Sequence, residues 1–281
     1  MKKYDETTLK KLQEIELEML HDFVKICEKN DIQYFGIGGT AIGALRHKGF
    51  IPWDDDMDVH MLRADYERFI ELIESNIDSR FKIVNLNNTK NYYHCHAKFL
   101  LKDSQVVQYE HKNSDEAQEL FIDVFPYDNA PTNKFLQITQ KWKCYVLGKA
   151  IFLRGNFIKE KNIQNTILDY LILKLTKNIT RDELINRVEK ESQKYNGTET
   201  GLVAYMTGSK KGYEHTLSQK DLHEDTIYMN FENIRLLCVR NYDYLLRLQF
   251  GDYMVIPPVE NRGDHNMKLI KLPKYLEDSE I

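Results

Sequence analysis

Apolar residues recur at three- and four-residue intervals from Glu6 to Asn30. Leu9, Leu12, Ile15, Met19, Leu20, Phe23, Ile26 and Cys27 form one stripe, which predicts a long helix laid on a core. The apolar-aromatic run Ile32 to Ile37 predicts a strand, and Gly38-Gly39-Thr40 leads from it into a helical pattern reaching about His47. A second amphipathic helix is expected over Arg63 to Ile77, with Tyr66, Phe69, Ile70, Ile73 and Ile77 on its inner side. Strands are expected at Phe81–Leu86, His96–Leu101, Val106–Tyr109 and Phe121–Phe125. Pro126 should end the last of these, with Tyr127-Asp128 opening a loop. Asn133 to Lys174 and Arg181 to Tyr195 read as helical, and Thr226 to Val239 reads as a hairpin turning near Glu232-Asn233. A helix over Tyr242–Phe250 should stop at Gly251. Strands interleaved with helices make the chain α/β.

The chemistry gathers between Gly36 and Asp58, in GIGGTAIGALRHKGFIPWDDDMD. A strand ending in two glycines lets a phosphate approach the backbone, and the following helix turns its free N–H groups toward it. Gly38 and Gly39 are therefore candidate phosphate contacts, and Thr40 can cap the helix or donate its hydroxyl. The same residues also suit an ordinary strand-to-helix turn. The acids that follow change the balance. In an extended chain Asp54, Asp56 and Asp58 share one face, while Met57, Val59 and Met61 share the other. Three carboxylates on one face repel one another unless a cation sits among them. Hard oxygen donors at this density suit Mg²⁺, Mn²⁺ or Ca²⁺ better than zinc. A solvated acidic turn would not need the apolar alternation behind it.

Other residues matter less by themselves. Asp123 is a lone acid in an apolar strand, costly unless it is paired or bound to a metal. Arg46, with His47 and Lys48, lies between the glycines and the acids, where it could fold back on a phosphate or remain solvated surface. His94 and His96 share a strand face with Lys98, but two histidines fall short of a zinc site. Trp53 is expected to wall the core rather than stack on a base.

Composition sets outer limits. The 281 residues, 42 % hydrophobic and 29 % charged, are those of a globular protein. A net charge of -4 gives no basic field for nucleic acid. Cys27, Cys95, Cys144 and Cys238 are scattered without a Cys-x-x-Cys, which suits a reducing, cytoplasmic compartment. MKKYDETTLKK carries no apolar run of the signal-peptide type, and no window is long and apolar enough to span a bilayer.

The run GGTAIGALRHKGFIPWDDDMDV resembles the LicD family of phosphotransferases, a branch of the nucleotidyltransferase-like superfamily. Further similarity lies in LRADYERF, AKFLLKD, FIDVFPYDNAP and FGDYMVIPPVENRGDH. The resemblance implies a mixed, twisted nucleotidyltransferase-like sheet flanked by helices, with a helical insertion. The whole of 1–281 would be one catalytic domain: a packing helix at 1–30, the core at 31–131, the insertion at 132–225, and a hairpin, helix and tail at 226–281. It implies a metal, Mg²⁺ or Mn²⁺, held by Asp56, Asp58 and Asp123 with Asp54 assisting, and it makes Asp56, Asp58 and Asp123 the catalytic set. It adds Arg46, Lys98, Arg262 and His265 to Gly38, Gly39 and Thr40 as contacts to the donor phosphates. The implied reaction moves phosphocholine from CDP-choline, or another CDP-linked phospho-alcohol, to a glycan hydroxyl, with Asp123 taking the proton and CMP leaving. Ribitol phosphate is the group implied by the related fukutin branch. The acceptor would be a cell-surface glycan, such as lipopolysaccharide or teichoic acid, or its lipid-linked precursor, and the enzyme would meet it at the inner face of the membrane. Two other readings stay open: nucleotidyl transfer to a small molecule or protein, and a non-catalytic nucleotide-binding module.

Overall fold

The computed structural model describes residues 6–108, 116, 118–155, 163–207, 212–262 and 267–273. Helix α1 (Glu6–Lys29) leads to strand β1 (Phe35–Gly36), then to a helical segment that starts as α2 (Gly38–Ile42) and loosens into a π-helical turn at Gly43–His47. Strand β2 (Asp58–Leu62) runs directly into α3 (Arg63–Glu74), followed by β3 (Phe81–Val84), β4 (Ala97–Leu101), β5 (Gln105–Val107) and β6 (Phe121–Asn129). Helices α4 (Lys134–Phe152), α5 (Ile163–Leu175) and α6 (Arg181–Ser192) come next. The chain continues through β7 (Leu202–Ala204), α7 (Gly212–Thr216), β8 (Ser218–Gln219), the hairpin β9 (Thr226–Phe231) and β10 (Ile234–Val239), α8 (Tyr242–Phe250) and β11 (Lys268–Lys271).

The central sheet has the order β1-β2-β6-β4-β3, with β7 on the far end of β6 and β8 beside it. Among the described residues of this sheet, only β2 and β6 are parallel, and the other pairs are antiparallel. This is the mixed α/β architecture expected of a nucleotidyltransferase-like fold. Residues 132–225 do contain helices α4 to α6, but they also send β7 and β8 back onto the sheet.

One face of the sheet is apolar. Val59, Ala97, Phe99, Ile122 and Val124 are fully buried there. Phe23 of α1 meets Phe99 at 5.8 Å and Phe69 of α3 at 5.1 Å between ring centroids, and Phe81 stacks on Phe99 at 4.5 Å. α1 and α3 thus seal this face through an aromatic cluster, which is the packing role the N-terminal stripe predicts. The alternating residues are pushed to the opposite face, and these carry the charges.

Strand β6 does not end at Pro126. It pairs with β2 through Met61↔Pro126 and Leu62↔Tyr127, while β4 leaves its other edge after Ala97↔Val124. The missing proline N–H therefore falls where that edge has no ladder to complete. Tyr127 and Asp128 belong to the strand, not to a loop, and both are buried.

Behind the charged row, His60 lies stacked between Tyr127 (4.0 Å) and Phe35 (5.0 Å), with His223 edge-on at 5.0 Å. Burial drives both imidazoles down. His223 falls to about 4, with the backbone of Gln219 and Lys220 and the charge of Asp221 pulling weakly the other way. The unfolded chain takes up these protons near pH 6.5 and the folded protein far lower, so the native state is favoured fully above pH 6.5 and loses that advantage as pH falls toward 4. Urea unfolding at pH 7.5 and at pH 4.5 should therefore differ by roughly 2–3 kcal/mol more in the native chain than in His223→Phe. Equal losses in both proteins would show that His223 does not govern the acid limb.

Candidate active site

The charged face centres on one row across three strands. Asp58 of β2 is in register with Asp123 of β6, which is in register with Lys98 of β4. Strand pairing alone places the three side by side, since residues in register on neighbouring strands point to the same face. Lys98 Nζ donates to Asp123 Oδ1 at 2.8 Å, both residues being buried, and the ammonium lies 3.3 Å from the Phe121 ring centroid. His96 Nε2 stands 3.3 Å from the same Asp123 oxygen, and its Nδ1 lies 3.4 Å from the Tyr205 hydroxyl. Burial would raise the Asp123 carboxyl, but Lys98 and His96 outweigh it and hold it well below the usual carboxylate range. Such a carboxylate is a reluctant proton acceptor. The pairing suits Asp123 to holding positive charge better than to the base role expected of it.

The acid run behaves as its alternation predicts. Asp54, Asp56 and Asp58 are half-buried, while Asp55, Met57 and Val59 are fully buried. Asp54 and Asp58 close on the glycine turn. A methyl group at Gly39 would sit 2.2 Å from Asp54 Oδ2, and one at Gly38 would sit 3.1 Å from Asp58 Oδ2. Gly38 also has φ +55°, a conformation that glycine adopts without cost. The two glycines are needed here because carboxylates occupy the space that side chains would fill.

Asp55 points the other way, where its Oδ2 accepts the Met267 backbone N–H at 3.2 Å and so ties the chain entering β11 to the acid loop. Asp55→Ala should lower unfolding free energy in urea by about 1–3 kcal/mol, because a buried N–H loses its acceptor. No change in stability would mean that this tie is dispensable.

Thr40 departs from expectation. Its Oγ1 accepts the Asp58 backbone N–H at 2.8 Å, and the helix cap is Ile37, with no side-chain cap. The hydroxyl braces the turn against β2 and does not cap the helix. Arg46 is likewise engaged: Nη1 donates to the Tyr253 carbonyl and Nε to His47 Nε2 at 2.9 Å. It links the π-helical turn to the chain after α8. Arg262 lies 4.1 Å over the Trp53 ring and donates to the Pro257 carbonyl at 3.1 Å. Trp53 is then both a wall beside the acids and a seat for Arg262. His265 falls outside the described residues.

Sequence reasoning did not anticipate the ion pair beneath this face. Arg63 Nε and Nη2 donate to both oxygens of buried Asp128 at 2.7 and 2.6 Å, and Asn196 Nδ2 adds a third bond at 2.7 Å. Nor did it anticipate the cavity of about 220 Å³ beside His96, which Tyr66, Glu67, Glu71, Glu74 and His94 also line. A sequence placing Asp128 in a loop after Pro126 gave no signal for either.

The carboxylates have the chemistry of a hard-cation site, and Asp58 and Asp123 lie on adjacent strands in register. Among the described residues, however, no three potential ligands converge as they stand. Asp123 is drawn toward Lys98 and His96 instead.

Comparison with known proteins gives this arrangement a context. Over 272 residues the chain is 28 % identical to the lipopolysaccharide cholinephosphotransferase LicD of Haemophilus influenzae, spanning 93 % of this chain and 97 % of that protein. An uncharacterised protein of Rickettsia typhi is 29 % identical over 111 residues, which is 40 % of this chain and 33 % of that one. A second, from Rickettsia prowazekii, is 40 % identical over 48 residues, or 17 % of this chain and 18 % of that one. Residues 31–151 match the model described as the LicD/FKTN/FKRP nucleotidyltransferase domain, a span holding the glycine turn, the acid run, Lys98 and Asp123. Residues 31–151 are therefore similar to the nucleotidyltransferase domain of the LicD/FKTN/FKRP family, and the likeness to LicD extends over almost the whole chain.

Proposed function

We propose that this protein transfers phosphocholine, or a similar phospho-alcohol, from a CDP-linked donor to a hydroxyl of a cell-surface glycan precursor. The observation that carries the reading is the convergence of the Asp54 and Asp58 carboxylates on Gly38-Gly39, with Asp123 in register beside them. The near full-length likeness to a cholinephosphotransferase supports the phosphocholine group. The cavity beside His96 supports it too. Its glutamates suit a cationic headgroup, which favours carboxylates, while the Tyr66 ring is already covered by the Arg63 guanidinium at 5.1 Å.

In this reaction the acceptor oxygen forms a bond to the choline-bearing phosphorus, and the bond from that phosphorus to the bridging oxygen breaks. CMP departs with that oxygen, the hydroxyl proton passes to solvent, and a phosphodiester results. Asp56, Asp58 and Asp123, with Asp54 assisting, would hold a divalent cation, Mg²⁺ or Mn²⁺. When bound, it supplies neutralisation of the phosphate charges. Gly38 and Gly39 leave room for the donor phosphates near the backbone, and Thr40 keeps the turn fixed to β2. Arg262, seated on Trp53, extends positive charge along the same rim.

The test is a transfer assay on a glycan acceptor with CDP-choline and Mg²⁺, read by product mass, alongside melting temperature against a nucleotide panel. A phosphocholine mass gain and metal-dependent stabilisation by CDP-choline are expected. A nucleotide mass gain, or stabilisation by triphosphates alone, would replace this reading with nucleotidyl transfer.

A further inference from the structure

Helix α4 is built inside out over its first turns. Its inward positions are polar. Gln137 donates to the Pro131 carbonyl at 2.7 Å, and Gln140 donates to the Glu191 carbonyl at 2.9 Å and accepts from the Tyr213 hydroxyl at 3.2 Å. Its outward positions are apolar: Phe135, Ile138 and Trp142 recur at i, i+3 and i+7, and are 71 %, 52 % and 45 % exposed. The neighbouring helix, joined to α4 by the Lys149–Asp169 ion pair at 3.7 Å, repeats the pattern. Ile167, Tyr170, Leu171 and Leu175 of α5 recur on one side and are all exposed. A single exposed apolar side chain is ordinary. A row on each of two packed helices, with glutamines turned inward on the first, marks a surface that meets something other than water.

The charge around these rows narrows the partner. From Lys134 to Gly155 the chain carries five basic residues, Lys134, Lys141, Lys143, Lys149 and Arg154, and no acidic one, in a protein whose net charge is -4. The groove between α4 and α6 is lined by Trp142 and Lys143 on one side and by Arg187, Lys190 and Lys194 on the other. Glu191 faces both Lys143 and Lys194, and Glu183 pairs with Arg187 at 2.6 Å, which leaves the bases in excess of the carboxylates. Aromatic and aliphatic side chains flanked by lysines match the boundary of an anionic bilayer: rings and chains enter the headgroup layer while ammonium groups meet lipid phosphates. No helix among the described residues is long and apolar enough to cross the bilayer.

We propose that the outer faces of α4 and α5, edged by the basic groove with α6, form a docking surface for an anionic lipid membrane. This goes beyond the transfer reaction and stands independently of the donor used. It would hold the protein at a lipid surface through parts of the chain that contribute no residue to the carboxylate site.

Sedimentation of the full chain with phosphatidylglycerol-containing vesicles and with pure phosphatidylcholine vesicles tests it. Expected is binding to the anionic vesicles that weakens with added salt, with Trp142 fluorescence quenched by brominated lipid. The combined variant Phe135→Ser, Ile138→Ser, Trp142→Ser alters only exposed positions. It should keep its melting temperature and its transfer activity on a water-soluble acceptor, yet lose at least about tenfold in vesicle partitioning. Lys143→Glu with Lys190→Glu should lose binding to the anionic vesicles in the same way. Absence of binding, equal binding by the variants, or a concentration-dependent dimer in light scattering that the triple variant abolishes would overturn the proposal. The last result would assign the face to a second copy of the chain.

Discussion

Asp58→Asn is expected to lower the rate of phosphocholine transfer by at least about 10³-fold while leaving the melting temperature of the unliganded protein within a few degrees. The asparagine keeps the shape that fills the space against Gly38, and Thr40 goes on accepting the backbone N–H of residue 58, because that bond does not involve the side chain. What is lost is one negative charge on the row with Asp123. If a cation and the donor phosphates meet at this row, the donor should no longer stabilise the variant in the presence of Mg²⁺. The readouts are kcat for transfer from CDP-choline and the melting shift on adding donor and metal together. Activity within tenfold of the native chain would remove Asp58 from the reacting centre. Asp123→Asn would not give as clean a result. It leaves the Lys98 ammonium buried without its counter-charge, so loss of activity would be mixed with loss of stability. The neighbouring carboxylates therefore answer different questions, and Asp58 is the one that separates chemistry from folding.

Why the acid row could be read from the sequence, and its neighbours could not, is a matter of distance along the chain. Asp54, Asp56 and Asp58 alternate with Asp55, Met57 and Val59, and the two-residue period of an extended chain is a local property. The hairpin at Glu232-Asn233 and the helix stop at Gly251 were legible for the same reason, with Glu232 and Gly251 both in positive-φ conformations. The pairing of Lys98 with Asp123 depends on register between strands joined by about twenty residues, and no local pattern specifies that. Pro126 shows the converse error. A proline reads as a strand end in isolation, but here the neighbouring strand has already departed, and no hydrogen bond is forfeited. The strands β7, β8 and β11 have three, two and four residues, too few to show a period; tertiary contact brings β7 and β8 to the central sheet and pairs β11 with β5 in a separate ribbon. Arg46 and Thr40 illustrate a further gap: sequence can name a donor or a hydroxyl but not the partner that claims it.

Arg63→Met should be strongly destabilising, costing about 3–5 kcal/mol in urea unfolding. The guanidinium holds Asp128 in a bidentate geometry with side-chain exposures of 13 % and 1 %, and its Nη1 also lies 3.6 Å from Glu189. Burial alone would lower the arginine, but Asp128 and Glu189 more than reverse this, so it stays charged throughout the accessible pH range. Removing it leaves a carboxylate on β6 with only the Asn196 amide for company, in a place water does not reach. The cost comes from that stranded charge more than from the lost attraction, and a double substitution separates the two. Arg63→Met with Asp128→Leu removes both charges and fills the same volume, and it should recover most of the lost stability. A double variant no more stable than Arg63→Met would mean that the pair contributes through its geometry, by fixing the start of α3 against the end of β6. Transfer activity in the recovered double variant then carries its own information. Asp128 lies five residues beyond Asp123 on the same strand, and Arg63 opens α3 directly after β2, five residues beyond Asp58. A stable but slow double variant would show that this clamp sets the register of the Asp58–Asp123–Lys98 row.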